Sequence, residues 1–291
     1  MKYVDVQPLV SILIPSYNHI AYVKESIVSA VSQDYQNIEL IVIDDGSSDG
    51  SVDLLRLLSQ YYNFKLICRE NRGLCTTLNE LVELSNGKYI TILASDDVFY
   101  KNKISALIGY LESEPELAMV YSDMQIINAS GAAVKVVKSK ACTINPFRDV
   151  LTGRVKINSV TTIVRSSVLR EFKYDVNYIE DLYMWLEISK NYKIMKVEGV
   201  YSLYRQHGEN FSASVSKMIR EERKVIELYK SSEYFGSAKK AWAMYWYSSL
   251  SGVDIVNAIS FLKSNFSATS VFYKNFWKGN FKLLLSFLKR C

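Results

Sequence analysis

Short apolar runs, each followed by a polar turn and then by helical spacing, recur through the first part of the chain. Short runs rich in β-branched residues predict buried strands, and apolar residues three and four apart predict helices packed on them. Strand and helix pairs joined by right-handed crossovers give a mostly parallel α/β sheet flanked by helices. The predicted strands are Leu9–Ile14, Ile38–Ile43, Phe64–Cys68, the start of Lys88–Tyr100, and Leu117–Ser122; the predicted helices span about 21–32, 74–85 and 101–113, with another beginning at Val52.

Two adjacent carboxylates, Asp96 and Asp97, end the apolar run within KYITILASDDVFY at positions 88–100. Ligands of open α/β sheets bind in the crevice outside the carboxyl ends of the strands, where paired carboxylates suit a divalent cation and the phosphates it carries. Capping of the following helix is the alternative, but the gap before Lys101 makes such a cap poor. The pair therefore predicts a metal site for a nucleotide diphosphate.

The ends of the second and third strands carry further polar groups. Asp45 faces the same predicted crevice and is expected to contact a nucleoside, whereas Ser48 and Asp49 are expected to cap the next helix. Arg69 or Arg72 could offer a cation to a diphosphate, with a solvated loop arginine as the alternative.

A helix with two acidic residues at its start is predicted for YIEDLYMWLEISK, positions 178–190. Asp181 is the expected general base. Glu180 is expected to orient Asp181 or to touch the acceptor, which is the molecule whose hydroxyl Asp181 deprotonates. The helix dipole is expected to lower the pKa of Asp181. The ordinary preference of acidic residues for a first helical turn is the alternative.

Three more residues are candidates on weaker grounds. Asn158–Arg165 predicts a strand that brings Arg165 to the acceptor side, with a buried ion pair as the alternative. His207 follows a predicted strand end at 201–206, and a lone histidine in such a place is often structural. His19 is expected to be a surface or turn residue.

Several motifs together resemble family 2 glycosyltransferases of the GT-A fold. They are VSILIPSYN at 10–18, IELIVIDDGSSDG at 38–50, NRG at 71–73, SDD at 95–97, ED at 180–181 and YRQH at 204–207, in collinear order. The resemblance implies inverting transfer of a sugar from a nucleotide-diphosphate sugar, with Mg²⁺ or Mn²⁺. It is greatest to bacterial enzymes that build lipid-linked surface polysaccharide such as O-antigen or capsule.

The resemblance also implies roles for individual residues. Pro15, Tyr17 and Asp45 match positions that hold the uracil and ribose of a UDP-sugar, and Arg72 is placed with this donor group. Asp97 is expected to ligate the cation, with Asp96 near the ribose, the sugar or the same cation, and His207 reaching the metal or diphosphate. Arg165, Glu180 and Trp185 are expected on the acceptor side. Ala94 stands where many members carry another aspartate, which leaves a two-carboxylate pattern.

Composition sets the limits of the whole chain. With 291 residues, 49% of them hydrophobic, it can form one large domain, expected over residues 1–210, with a helical extension over 211–291. Four cysteines without paired spacing, and only two histidines, argue against a zinc site and favour a reduced, cytoplasmic compartment. The N-terminus lacks the features of a signal peptide.

The extension is strongly basic. From position 211 onwards there are 13 Lys and Arg against 5 Asp and Glu, a net charge of +8, whereas residues 1–210 carry −3. Its end, NFWKGNFKLLLSFLKR, mixes basic and large apolar residues as an interfacial helix does. It contains too few apolar residues to span a bilayer. Peripheral binding to the inner membrane, where a polyprenyl-diphosphate acceptor would lie, is expected. Packing on the catalytic domain or on another subunit, as an oligomer, is the alternative, and no nucleic-acid-binding motif is present.

Two other functions were compared with glycosyl transfer. A non-catalytic sugar-nucleotide-binding or scaffold protein of the same fold would not need a base such as Asp181 opposite a metal site. Nucleotidyltransferases usually carry a glycine-rich, basic loop after the first strand, and PSYN at 15–18 is neither glycine-rich nor basic. The resemblance to family 2 glycosyltransferases therefore implies an inverting hexosyltransferase.

Overall fold

The computed structural model describes residues 7–175, 179–208, 210 and 214–288. Nine strands form one sheet within these residues: β1 (Val10–Ser16), β2 (Ile38–Asp44), β3 (Lys65–Cys68), β4 (Tyr89–Ile92), β5 (Val98–Phe99), β6 (Leu117–Asn128), β7 (Ala133–Val137), β8 (Thr162–Arg165) and β9 (Lys193–Gln206). The helices are α1 (Val23–Val31), α2 (Ser51–Tyr62), α3 (Leu74–Leu84), α4 (Lys103–Ser113), α5 (Pro146–Leu151), α6 (Ser166–Leu169), α7 (Glu180–Asn191), α8 (Val215–Leu228), α9 (Phe235–Leu250), α10 (Ile255–Asn265) and α11 (Lys274–Leu288).

The sheet is mixed, with the order β3-β2-β1-β4-β8-β6-β9-β5, and β7 pairs with β6. Six of its nine strands run in the same direction. The strands β1 to β4 run parallel to one another, and β6 and β9 are parallel to each other. Between β4 and β6 lies β8, which is antiparallel to both, so that β6 and β9 run in the same direction as β4. The carboxyl ends of β1, β2, β3, β4, β6 and β9 therefore lie at one edge of the sheet, called here the carboxyl edge. This is the crevice edge that the sequence predicted.

Apolar side chains form two cores, one on each face of the sheet. Because successive side chains of a strand point to opposite faces, Leu13 lies in one core, while its neighbours Ile12 and Ile14 lie in the other. The cores contain the apolar positions whose spacing predicted strands and helices. The connecting helices cover both faces and return the chain to the start of the next parallel strand. The loop after each parallel strand therefore lies at the carboxyl edge.

The helices after residue 210 share a core with the sheet. Trp242 and Trp246 of α9 are buried in the same hydrophobic cluster as Trp185 and Leu186 of α7. The helix α11 packs on α9 at Gly279, where any Cβ would overlap the ring of Tyr247. The domain boundary near residue 210 stays a prediction, but α8 and α9 directly contact the part of the chain before residue 210.

The opposite face of α11 is open to solvent. Its Trp277, Phe281, Leu284 and Leu288 side chains are between 56% and 64% exposed. Their spacing of three or four residues puts them on one side of the helix. Within the described residues, no helix has both the length and the hydropathy that a membrane crossing requires.

Candidate active site

Three side chains with metal-binding atoms meet beyond the carboxyl edge. They are His19, Asp96 and His207, which follow β1, β4 and β9, and their ligand atoms all lie within 4.8 Å of one another. His207 Nε2 is 3.0 Å from Asp96 Oδ2, and Asn210 Nδ2 donates to the same carboxylate oxygen at 3.1 Å. The parallel strand ends therefore bring together residues that are far apart in sequence.

Neighbouring groups fix the orientation of the two imidazoles. His19 Nδ1 lies 2.8 Å from Ser95 Oγ, and the ring of Tyr22 lies 4.9 Å from that of His207. Asn18, directly before His19, has a positive φ of 52°, and its side chain accepts a hydrogen bond from the backbone N–H of Ser48. His19 was expected to be a surface or turn residue, because nothing in its own loop shows that β4 and β9 end beside it.

Asp97 does not join this cluster in the described structure. It is 3% exposed, and its Oδ1 accepts a hydrogen bond of 2.8 Å from the backbone N–H of Arg205. Burial and the neighbouring charge of Asp96 raise its pKa well above the ordinary value. The geometry thus favours Asp96 over Asp97 as the carboxylate ligand, which differs from the sequence-based expectation, because the turn after β4 directs the second carboxylate inward.

Arg205 is a supporting residue for which the sequence analysis proposed no role. Its side chain is almost fully buried, and its Nε donates to the carbonyl of Asp96 at 2.8 Å. Its guanidinium also pairs with Glu25 and lies over the ring of Tyr22. A charged residue within a strand, two positions before His207, was the available signal. Arg205 joins β9 to the turn that carries Asp96.

The donor side is built on Asp45. This residue is 4% exposed, and its carboxylate accepts hydrogen bonds from the backbone N–H groups of Arg72 and Gly73, both at 2.9 Å. It also pairs with Arg69, whose guanidinium contacts Glu80. In this structure Asp45 therefore holds the loop after β3 against the end of β2, and the expected nucleoside contact of Asp45 stays a prediction.

Other expected donor residues surround this loop. Arg72 is exposed and Tyr17 is 48% exposed, both in loops that leave the carboxyl edge, while Pro15 is half-buried near the end of β1. At this edge, an exposed arginine suits the diphosphate of a donor, and an exposed aromatic ring suits its nucleobase.

The acidic pair of α7 lies at the start of that helix, as predicted. Since α7 ends at Asn191, two residues before β9 begins, its first turn points back towards the carboxyl edge. Burial is the main cause that raises the pKa of Asp181 to about 7, and the negative charge of Glu180 adds to it. Burial also raises the pKa of Glu180. The expected lowering by the helix dipole is wrong in direction, because desolvation outweighs it, and a base with a pKa near the working pH is well matched to proton abstraction.

Two of the expected acceptor residues lie elsewhere. Trp185 is 2% exposed and packs within the core. Arg165 is the last residue of β8, which runs antiparallel to β4, so that it lies at the edge opposite Asp96. Its guanidinium donates to the carbonyls of Leu117 and Glu114 and to the hydroxyl of Tyr89. Arg165 thus ties α4 to the sheet, and the expectation failed because the sequence did not reveal the direction of β8.

The cluster of His19, Asp96 and His207 has the chemistry to hold a divalent cation. Two imidazoles and one carboxylate suit a first-row transition ion better than Mg²⁺, which prefers an all-oxygen shell. Three protein ligands also leave positions for phosphate oxygens and water. The residues present therefore fit a cation that carries a nucleotide diphosphate.

The protein family described as "Glycosyl transferase family 2" matches residues 11–174, which are more than half of the chain. The chain belongs to glycosyl transferase family 2. An uncharacterized glycosyltransferase of Haemophilus influenzae is 29% identical to this family 2 glycosyltransferase over 306 residues, covering 97% of the chain and 91% of the relative. A similar identity, 29% over 221 residues, joins it to UDP-Glc:alpha-D-GlcNAc-diphosphoundecaprenol beta-1,3-glucosyltransferase WfgD of Escherichia coli, covering 75% of the chain and 85% of the relative. The chain spans only 36% of the length of an uncharacterized glycosyltransferase of Rickettsia felis.

Solved structures of other glycosyltransferases have the same fold. S. aureus TarS 1-349 in complex with UDP-GlcNAc gives a TM-score of 0.66 at 17% identity, covering 94% of this chain and 89% of that one. The mannosyltransferase PcManGT from Pyrobaculum calidifontis, in complex with GDP-Man and Mn²⁺, gives 0.62 at 15% identity, covering 97% and 86%. The GT-A type of α/β fold predicted for this family 2 glycosyltransferase is confirmed.

Proposed function

We propose that this family 2 glycosyltransferase transfers a sugar, with inversion, from a nucleotide-diphosphate sugar to a saccharide acceptor carried on a lipid diphosphate. The observation that carries the proposal is the meeting of His19, Asp96 and His207 at the carboxyl edge. Tyr17, Pro15, Asp45 and Arg72 are proposed to form the nucleotide side of the site, at the ends of the neighbouring strands.

The proposed reaction is a single displacement. An acceptor hydroxyl oxygen attacks the anomeric carbon, the bond from that carbon to the phosphate oxygen breaks, and its electron pair leaves with the nucleoside diphosphate. Asp181 takes the hydroxyl proton, and Glu180 keeps the pKa of Asp181 raised. A divalent cation held by His19, Asp96 and His207 would supply the positive charge that the departing diphosphate needs.

The substrates are inferred from the relatives. WfgD is named for transfer of glucose from UDP-Glc to a GlcNAc-diphosphoundecaprenol, and TarS was solved with UDP-GlcNAc, which together support a UDP-hexose donor and a lipid-linked acceptor. PcManGT was solved with GDP-Man and Mn²⁺, so that GDP-mannose is the second donor to test. The two imidazoles in the cluster support Mn²⁺ over Mg²⁺.

The direct test is transfer from a panel of UDP-, GDP- and dTDP-sugars to short-chain GlcNAc- and GalNAc-diphosphate-lipid analogues. Reactions are run with Mn²⁺, with Mg²⁺ and with EDTA, and NMR reports the anomeric configuration of the product. We expect a UDP-hexose to react fastest with Mn²⁺, to give an inverted product and to stop reacting with EDTA. Binding of a nucleotide sugar without transfer to any acceptor would instead support a non-catalytic sugar-nucleotide-binding protein.

We also propose that the exposed side of α11 rests on an anionic membrane surface, where a lipid-linked acceptor would lie. Its open apolar residues, Trp277 and Phe281 among them, are accompanied by Lys274 and Lys278 on the same helix. Apolar side chains at the level of the lipid head groups and lysines beside anionic lipids are how an interfacial helix binds. This surface is proposed to face the cytoplasmic leaflet of the inner membrane.

Vesicle sedimentation tests this surface. The full chain should bind vesicles that contain anionic phosphatidylglycerol better than purely zwitterionic vesicles, and the double variant Trp277→Ser, Phe281→Ser should bind weakly. Leu57→Ser on α2, which removes a side chain that is 65% exposed, is the matched control and should bind normally. If the double variant binds as well as the wild type, or if it only changes the oligomeric state, α11 is not the membrane contact.

A further inference from the structure

A carboxylate of α8 is held by a hydrogen bond from α9. Glu222 of α8 is half-buried, and its Oε2 accepts a hydrogen bond of 2.6 Å from Trp246 Nε1 of α9. Within the described part of the chain, its other oxygen accepts no hydrogen bond. One oxygen thus fixes the side chain in place, and the other is available to a donor group.

An exposed aromatic ring and a lysine stand next to this carboxylate. Lys156 Nζ lies 3.4 Å from the ring centroid of Tyr245, which is 36% exposed, and Tyr245 stacks edge-on against Trp246 at 5.2 Å. In the structure as described, Lys156 forms no ion pair. The group therefore offers a hydrogen-bond acceptor, a hydrogen-bond donor and an aromatic surface from the loop after α5, from α8 and from α9.

The helices that carry this group share a hydrophobic cluster with α7. Trp246, the partner of Glu222, is buried in the cluster against which Leu182 packs, and Leu182 directly follows Asp181. The negative charge of Glu222 contributes to the raised pKa of Asp181. Burial raises the pKa of Glu222 itself, and the positive charge of Lys156 partly offsets this rise. Asp181 also interacts with Glu180 on its own helix, with Tyr174 in the preceding loop and with the backbone N–H of Leu182, which donates to its Oδ1 at 2.6 Å. Glu222 is therefore the contribution of the C-terminal helices to the surroundings of the base.

We infer that Glu222, Lys156 and Tyr245 form a subsite that binds the acceptor sugar next to Asp181. The inference rests on the proposed function and assigns to α8 and α9 a direct part in acceptor recognition. A sugar hydroxyl donates to the free oxygen of Glu222, another accepts from Lys156, and the apolar face of the sugar lies near the Tyr245 ring. A few placed polar groups around an aromatic surface are the usual composition of a small-molecule site.

The test variant is Glu222→Gln, because the amide oxygen of glutamine can still accept from Trp246 while the charge is lost. Its matched control is Glu227→Gln on the same helix, where the carboxylate pairs with Arg223 and Lys239. A hydrogen bond to a charged group supports an expected rise of about 10- to 100-fold in the acceptor KM for Glu222→Gln. The donor KM, the Mn²⁺ affinity and the melting temperature should match those of the control.

A pH profile and a second residue make the test independent of folding. Removing the charge of Glu222 should move the acidic limb of kcat/KM to lower pH, because Asp181 would then ionise more easily. Tyr245→Ala should raise the acceptor KM, and Tyr245→Phe, which keeps the ring, should restore it. Titration calorimetry with a short-chain GlcNAc-diphosphate-lipid analogue measures acceptor binding without turnover.

Two outcomes would overturn the subsite. One is an unchanged acceptor affinity and pH profile in Glu222→Gln and Tyr245→Ala; the other is an equal loss of donor and acceptor binding with a lower melting temperature, as expected of a structural anchor. Failure of the proposed function looks different, since then the wild type itself transfers no sugar and binds no acceptor analogue.

Discussion

His207 Nε2 lies 3.0 Å from Asp96 Oδ2, although 111 residues separate the two in sequence. The contact exists because β4 and β9 run in the same direction and end at the same edge of the sheet. His19 reaches the same point from the end of β1. The ends of β1, β4 and β9 thus assemble the candidate cation site, and no single sequence motif contains all three of its ligands.

Asp96→Asn and Asp97→Asn should have different effects on metal binding. Asp96 faces the two imidazoles, whereas Asp97 accepts from the backbone of Arg205. We expect Asp96→Asn to abolish measurable Mn²⁺ binding and Asp97→Asn to retain it, as measured by electron paramagnetic resonance of free Mn²⁺. Retention by Asp96→Asn with loss in Asp97→Asn would restore the assignment made from the sequence.

His19→Ala should weaken the same ion. Loss of a residue that only supports a metal ligand typically lowers affinity about 10- to 100-fold, and removal of a direct ligand should cost at least as much. Ser95→Ala, which removes only the partner of His19 Nδ1, is the control and should have the smaller effect. Equal Mn²⁺ affinities for His19→Ala and the wild type would exclude His19 from the ion's coordination.

Asp181→Asn should lower kcat by about 10²- to 10⁴-fold while donor binding is kept, because only the proton acceptor is removed. In the wild type, kcat/KM should fall as the pH drops through about 7, since protonated Asp181 cannot act as a base. Glu180→Gln should shift this limb to lower pH, because it removes a charge that raises the pKa of Asp181. A wild-type rate in Asp181→Asn would rule out this base.

Arg165→Met should destabilise the fold without affecting the acceptor KM. The substitution leaves the carbonyls of Leu117 and Glu114 without their guanidinium donor, at an expected cost of about 2 to 4 kcal/mol in the free energy of unfolding. Urea denaturation measures the first effect, and steady-state kinetics below the melting range measures the second. A stable variant with a raised acceptor KM would place Arg165 in the acceptor site after all.

The parts of the fold that depend on local pattern could be predicted from the sequence. Strand and helix positions up to residue 122, apart from β5, and the acidic start of α7 follow from the spacing of apolar residues, which is a property of each segment alone. The two-residue strand β5 was not predicted, because it exists through its pairing with β9. The direction of β8 depends on which strands it joins, and this decided that Arg165 lies far from Asp96. His19 and the inward turn of Asp97 depend on contacts between loops, which carry no periodic signal.

The helix α9 connects the start of α7 to α11, because it shares a hydrophobic cluster with α7 and packs on α11. On a bilayer, the exposed side of α11 and the base at the start of α7 would be joined by one hydrophobic cluster, which contains Trp185 and Trp242 and against which Phe276 of α11 packs. The height of the base above the lipid would then be fixed. If the proposed membrane contact holds, the enzyme would select acceptors by length as well as by chemistry, because it would extend only those chains whose growing end stands at that height.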